Sequence, residues 1–284
     1  MKIIDCPRDA MQGIHEFIPT EKKIAYINQL LKVGFDTIDF GSFVSPKAIP
    51  QLKDTVEVLE GLNLDSTRSK LLAIVANTRG AEDAVKHDAI TYLGFPFSIS
   101  ETFQQRNTNK SIVEALNTLN EIQDLCVKNN KVLVTYISMG FGNPYGDPFN
   151  VDVVAKFTDI ISSLGVSIIS LADTIGVSND ENITYLYTNL ISAYPQVEFG
   201  AHLHSNPATA VDKIKSAYKA GCRRFDGAIR GFGGCPMAKD DLTGNIATEL
   251  IVSYLSDQGL DLGMNKLEMD NSIMASGAIF DHYR

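Results

Sequence analysis

The chain has 284 residues, 44% of them apolar and 21% charged, with a formal net charge of −9. This composition supplies a sizeable core and excludes wholesale disorder, while the acidic balance excludes the broad basic surface that would neutralise a phosphate backbone, so nucleic acid is not an expected partner. No stretch approaches a membrane span, Met1 to Cys6 runs directly into a strand-like segment without an apolar leader, and the four cysteines show no CxxC spacing. The expectation is a cytoplasmic protein without a membrane partner or a disulfide framework.

Short β-branched or apolar runs alternate with longer amphipathic ones, the pattern of βα units around a parallel sheet. The predicted strands, in chain order, are Lys2 to Cys6, Thr37 to Phe43, Lys70 to Ala76, Ala89 to Phe95, Lys131 to Met139, Ser167 to Ala172, Val197 to His202 and Arg224 to Ile229. Helical spacing falls between them at Thr20 to Val33, Ser45 to Leu59, Arg79 to Lys86, Asn109 to Lys128, Val151 to Leu164, Asn182 to Tyr194, Pro207 to Ala220 and Leu242 to Ser256. Thr20 followed by Glu21 reads as a helix start, and Gly34 and Gly165 follow helices where a left-handed cap is needed. No Ser/Pro/Gly-rich linker or charge block divides the chain. Eight uninterrupted units predict an α/β fold, a single closed (β/α)₈ barrel over residues 1–284, with a short extension from about 259 packing a final helix outside it.

In such barrels the reactive groups come from the C-terminal strand ends. Here Arg8 and Asp9 follow the first strand, Asp39 and Ser42 lie in the second, Tyr136 and Ser138 near the end of the fifth, and Asp173 closes the sixth. His202 and His204, two apart at the end of the seventh strand, share one face and can hold one cation between two imidazoles. The alternative for this pair is a hydrogen-bonded structural role. Asp9 is the best third ligand, with a helix cap or loop salt bridge as its plainer reading. Nitrogen and oxygen donors without a thiolate cluster suit Mg²⁺, Mn²⁺, Fe²⁺ or Zn²⁺. Gly231-Phe232-Gly233-Gly234-Cys235-Pro236 is too glycine-rich for regular structure and reads as a mobile lid carrying one thiol, or as a glycine-rich turn with an incidental cysteine. Asn245 is either a helix cap or an amide aimed inward.

Taken together, these residues resemble the 3-hydroxy-3-methylglutaryl-CoA lyases, within the larger group of metal-dependent barrel lyases and Claisen-type synthases. The resemblance runs through Arg8-Asp9 with Gln12, Ser42 to Lys47 leading to Pro50-Gln51, Asp173-Thr174-Ile175-Gly176, His202-x-His204, Gly233 to Pro236, and Gly244-Asn245. It implies that Asp9, His202, His204 and Asn245 ligate Mg²⁺ or Mn²⁺, and that an acyl-CoA substrate undergoes retro-Claisen cleavage to acetyl-CoA and acetoacetate. Arg8 would stabilise the thioester enolate, Asp9 or His202 would take the hydroxyl proton, and Cys235 would protonate the acetyl carbanion. Gln12, Asp39, Ser42, Tyr136 and Asp173 are expected around the ligands and the substrate, with Asp39 and Asp173 orienting the ligands and Arg8. A homodimer is expected, and Lys47, His15 and Arg106 are candidates to meet CoA phosphates.

The chain departs from the common lyase pattern at Ala10-Met11, Gly13, Asp39 and Ser205, and its Cys235 to Asn245 spacing is one residue longer. A lyase or aldolase for a longer 3-hydroxyglutaryl-CoA or a 4-hydroxy-2-oxoacid therefore stands as the alternative, with a silent acyl-CoA-binding barrel more remote.

Overall fold

Eight parallel strands close on themselves in the computed structural model, which describes residues 1–234 and 243–283. In chain order the elements are β1 (Lys2–Asp5), α1 (Pro7–Gln12), α2 (Thr20–Leu31), β2 (Thr37–Ser42), α3 (Thr55–Glu60), β3 (Lys70–Ile74), α4 (Thr78–Ala84) and β4 (Ile90–Ser98). There follow α5 (Glu101–Thr108), α6 (Ile112–Lys128), β5 (Val132–Ser138), α7 (Val151–Ser163), β6 (Ile168–Asp173), α8 (Asp180–Ala193), β7 (Glu198–Ser205), α9 (Ala210–Lys219) and β8 (Arg224–Gly227). The two-residue β9 (Gly244–Asn245), α10 (Thr248–Asp257) and α11 (Lys266–Phe280) complete the order. Strands β1 to β8 pair parallel with their sequence neighbours, and β8 pairs back onto β1 with Ile4 opposite Asp226, so the sheet is a closed α/β barrel.

Helix boundaries follow local chemistry. The predicted Asn109 to Lys128 helix is α6, starting three residues later at Ile112 because Asn109 adopts φ 55° and Ser111 opens α6 with a capping box to Glu114, while α5, which ends just before Asn109, escaped the sequence reading. The Ser45 to Leu59 segment contains a 3₁₀ turn at Pro50–Leu52 before α3. Pro19, not Thr20, caps α2, and the Thr20 hydroxyl instead donates to Asp54. Gly34 and Gly165 do take positive φ, 86° and 89°. Two further elements escaped the sequence reading: α1, a single short helix opened by Pro7, and β9, which runs antiparallel to β7. Both lie at the C-terminal rim of the barrel.

Alternation along each strand divides the core. Outward residues such as Ile38, Phe95, Leu133, Ile169 and Phe225 join the helices in the main apolar layer, while Leu72, Ile74, Tyr92, Val134, Tyr136 and Ile168 fill the barrel interior. At the N-terminal end the interior closes on charge. Arg224 and Lys2 both meet the Glu198 carboxylate, and the Arg224 guanidinium stands 5.7 Å from the Tyr92 ring. α11 packs on α2 outside the barrel, and no described helix is long and apolar enough to cross a membrane.

Candidate active site

Immediately after β1 the chain turns into α1, where Pro7 presets the first helical φ and brings Arg8 and Asp9 to the barrel mouth, both buried. Arg8 is held on three sides. Its Nε lies 3.2 and 3.0 Å from the two oxygens of Asp39, its Nη2 2.5 Å from Asp39 Oδ2, and its Nη1 donates to Asp9 Oδ1 at 2.9 Å and Gln12 Oε1 at 2.8 Å. Of the five guanidinium N–H groups, one on Nη2 has no acceptor among the described residues. Burial raises the Asp9 carboxyl, but Arg8, His202 and His204 outweigh it and hold Asp9 down to about 2. Burial dominates at Asp39 and pushes it up to about 6 against the pull of Arg8. The paired carboxylates keep the Arg8 guanidinium charged despite its burial.

Strand alternation turns His202 and His204 to the same interior face, with ring centroids 5.3 Å apart. His204 Nδ1 sits 3.1 Å from the Thr174 carbonyl oxygen, an acceptor only, so Nδ1 carries the proton and Nε2 presents its lone pair. That Nε2 is buried without a hydrogen-bond partner among the described residues. His202 Nδ1 lies 3.1 Å from Asp226 Oδ2, which fixes its tautomer in the same way. Burial lowers both imidazoles. At His202 the Asp226 and Asp9 carboxylates more than reverse the effect, whereas at His204 the neighbouring His202 adds to it, so the two rings move in opposite directions.

Asp9, His202 and His204 each place one potential ligand atom within 4.8 Å of the others. The pairing of β9 with β7 puts Asn245 opposite His204, and the Asn245 amide donates to Asp9 Oδ2 at 2.6 Å and to the Phe232 carbonyl at 3.0 Å. A second group, Cys6, His202 and Asp226, satisfies the same distance deeper in the barrel. There burial pushes the Cys6 thiol well up, so the oxygen and nitrogen set nearer the mouth is the better cradle for a cation. A divalent ion fits this set: one anionic carboxylate, two imidazoles with assigned tautomers, and an unpartnered buried nitrogen.

The remaining predicted residues fall in different places. Gln12 joins Arg8 to Asp9, donating from Nε2 to Asp9 Oδ1 at 2.8 Å. Tyr136 projects into the interior, its ring edge-on to His202 at 5.5 Å. Ser42 turns away, its hydroxyl accepting from the Val44 N–H at 3.1 Å. Asp173 makes its contacts with the Val177 and Ser178 N–H groups, the Ser178 hydroxyl and Lys213, rather than with Arg8 or a ligand side chain. Cys235 and Pro236 lie outside the described residues. The segment's flanks are described: Gly231, Gly233 and Gly234 take positive φ, and a side chain on Gly233 would meet the Asp9 carbonyl and Ala10 at 2.7 Å. Lys47, His15 and Arg106 are exposed.

Two contributors were not singled out from sequence. Asp226 sits directly opposite His202 in the β7–β8 register, and its spacing from Arg224 already turned it inward. Lys213 lies in the buried stripe of α9 with Ala210, Ile214 and Ala217, a cation where an amphipathic helix calls for an apolar side chain.

Residues 1–272 match the family model described as HMGL-like. The chain belongs to the HMGL-like family. Within that family it is 35% identical over 266 residues to the hydroxymethylglutaryl-CoA lyase YngG of Bacillus subtilis (strain 168), covering 92% of this chain and 86% of that one. It is 31% identical to the cytoplasmic 3-hydroxy-3-methylglutaryl-CoA lyase of Homo sapiens, covering 93% and 71%. The fold superposes on the Brucella melitensis HMG-CoA lyase with a TM-score of 0.91 at 29% identity, covering 99% and 98% of the two chains. An Acinetobacter baumannii HMG-CoA lyase, solved with coenzyme A and 3-methylmalate, gives 0.90 at 29% identity over 99% of this chain and 92% of that one.

Proposed function

We propose that this HMGL-like chain is a hydroxymethylglutaryl-CoA lyase, one catalytic barrel over residues 1–284, cleaving 3-hydroxy-3-methylglutaryl-CoA to acetyl-CoA and acetoacetate. The observation that carries the reading is the meeting of Asp9, His202 and His204 within 4.8 Å, directly beside the Arg8 fork. The relatives named above supply the substrate, and the barrel mouth supplies residues suited to it.

Asp9, His202 and His204 would hold a divalent cation, Mg²⁺ or Mn²⁺ as the resemblance implies, with Asn245 completing the set after its amide turns its oxygen toward the ion. When bound, the ion acts as a Lewis acid toward the substrate's oxygens and lowers the pKa of the tertiary hydroxyl. Cleavage then requires a base for that hydroxyl proton. Asp9 and His202 are the two candidates: Asp9 is held near 2 and is a weak base, while His202, whose Nδ1 proton is committed to Asp226, can take the proton on Nε2 only when that atom is not bound to the ion. As the proton leaves the C3 oxygen, the C2–C3 bond breaks, C3 becomes the ketone of acetoacetate, and the electron pair moves into the thioester as an enolate. Arg8 offers its remaining Nη2 N–H to the enolate oxygen, its plane fixed beforehand by Asp39, Asp9 and Gln12. Protonation of C2 completes acetyl-CoA. Cys235, carried from the sequence reading, is the proposed donor.

An acyl-CoA substrate, a homodimer and a cytoplasmic location complete the proposal. The test is acetoacetate release from 3-hydroxy-3-methylglutaryl-CoA with Mn²⁺ or Mg²⁺, beside an EDTA-treated sample and Cys235→Ala. Metal-dependent release that collapses in the variant is expected. Inactivity of folded, metal-loaded protein on this substrate would overturn the substrate assignment.

A further inference from the structure

We propose that Lys213 is a positioning residue for the metal centre, fixing His204 by tying its main chain to the turn that also holds its ring. The inference rests on the metal-dependent lyase reading and adds a residue outside the ligand set. Lys213 projects from the packed face of α9 and its side chain is only 4% exposed. Its ammonium has three N–H groups and three acceptors: Asp173 Oδ2 at 2.8 Å, the Gly176 carbonyl at 3.0 Å and the His204 carbonyl at 2.8 Å.

Those acceptors belong to two segments. Asp173 and Gly176 bound the turn after β6, and Asp173 also receives the Val177 N–H at 2.8 Å and the Ser178 N–H at 3.0 Å. The same turn presents the Thr174 carbonyl that accepts from His204 Nδ1 at 3.1 Å. His204 is therefore held twice by one turn, through its ring at Thr174 and through its carbonyl at Lys213. The direction of its unpartnered Nε2 depends on both. Removing the ammonium takes the counter-charge from the buried Asp173 and a donor from the Gly176 and His204 carbonyls, and the turn and the strand end are free to part.

The fold contains its own control. Lys23 and Asp54 form a second buried pair at 2.7 Å, and Lys23 also donates to the Gln51 carbonyl; Gln51 lies beside α1 and donates to the Ile14 carbonyl, but neither Lys23 nor Asp54 hydrogen-bonds to α1, β7 or β9 among the described residues. A purely structural role for Lys213 predicts that the two lysines behave alike.

The experiment measures Mn²⁺ binding, from the EPR signal of free Mn²⁺, together with thermal melting, for wild type, Lys213→Met, Lys213→Gln and Lys23→Met. Lys213→Met is expected to weaken Mn²⁺ about 10-fold to 100-fold, the usual cost of losing a partner one step beyond a ligand. Lys213→Gln, which keeps an N–H₂ donor, is expected to weaken it by less but by more than about threefold on the same basis. Lys23→Met is expected to lower the melting temperature with Mn²⁺ affinity unchanged. Wild-type affinity in Lys213→Met, or an equal loss in Lys23→Met, overturns the positioning role alone. If Lys213→Met does not fold, Lys213→Gln decides by the same criterion. Failure of wild type to bind Mn²⁺ overturns the metal reading and this proposal with it.

Discussion

Arg8 grips Asp39 through both carboxylate oxygens, with Nε 3.2 Å from Oδ1 and Nη2 2.5 Å from Oδ2. A lysine cannot reproduce this fork, because its ammonium is a point charge without a fixed plane. Arg8→Lys should therefore lower kcat by roughly 10²-fold to 10³-fold, the range for losing one oriented donor to a developing oxyanion. KM should move much less. Steady-state kinetics on 3-hydroxy-3-methylglutaryl-CoA separates the two, and a rise in KM at unchanged kcat would show that Arg8 binds ground state and transition state equally.

Asp226 fixes the proton of His202 on Nδ1, and an amide there can present its N–H₂ and invert that tautomer. Asp226→Asn should weaken Mn²⁺ by about 10-fold to 100-fold, as partners of ligating imidazoles commonly do. Isothermal titration would read it. At 100 times Kd, Mn²⁺ should stabilise wild type by about 2.7 kcal/mol, and His204→Ala should lose that protection.

Asp5 sits outside the barrel wall under α10, where burial pushes its carboxyl up to about 7 despite a 2.6 Å hydrogen bond from the Thr248 hydroxyl. A raised carboxyl pKa contributes stability that is fully present below the unfolded value, near 3.8, and is lost as pH rises through about 7. Replacing it by a neutral amide removes that dependence. Relative to wild type, Asp5→Asn should gain on the order of 2 kcal/mol between pH 5 and 8, measured by urea unfolding at both pH values. A constant difference would place the Asp5 titration elsewhere.

Gly233 has φ +84°, and a Cβ on it would lie 2.7 Å from Ala10 Cα and from the Asp9 carbonyl oxygen. Gly233→Ala meets a backbone penalty of about 1 to 2 kcal/mol for the left-handed conformation and presses on Asp9, the proposed carboxylate ligand. Lower Mn²⁺ affinity and at least about a 10-fold loss of activity are expected. Normal Mn²⁺ affinity in the folded variant would show that the Asp9 carboxylate is insulated from this contact.

The sequence carried the barrel because each strand is a short apolar run and each outer helix has its own stripe, so local periodicity and global topology agree. Where helix starts were misplaced, a side chain competed with the periodic signal: Asn109 takes the left-handed region and Ser111 caps α6, so the helix predicted from Asn109 starts at Ile112. His202 and His204 were readable because strand alternation alone puts them on one face. Asp173 was readable as a polar residue at a strand end, but not as the anchor of the turn that follows it. Its partner, Lys213, arrives from a helix 40 residues away. Asn245 was likewise visible as a residue, while the β9 pairing that sets it opposite His204 involves only two residues and leaves no periodic trace.

The charged closure formed by Lys2, Glu198 and Arg224 makes the barrel a blind well. With Tyr92, Leu72 and Ile168 packed above that floor, the described residues close the interior from below and leave the approach to the site at the rim where α1 and β9 stand. Substrate arrives and both products depart along the same path, so turnover has to be sequential: the doorway must clear before the next acyl-CoA can enter.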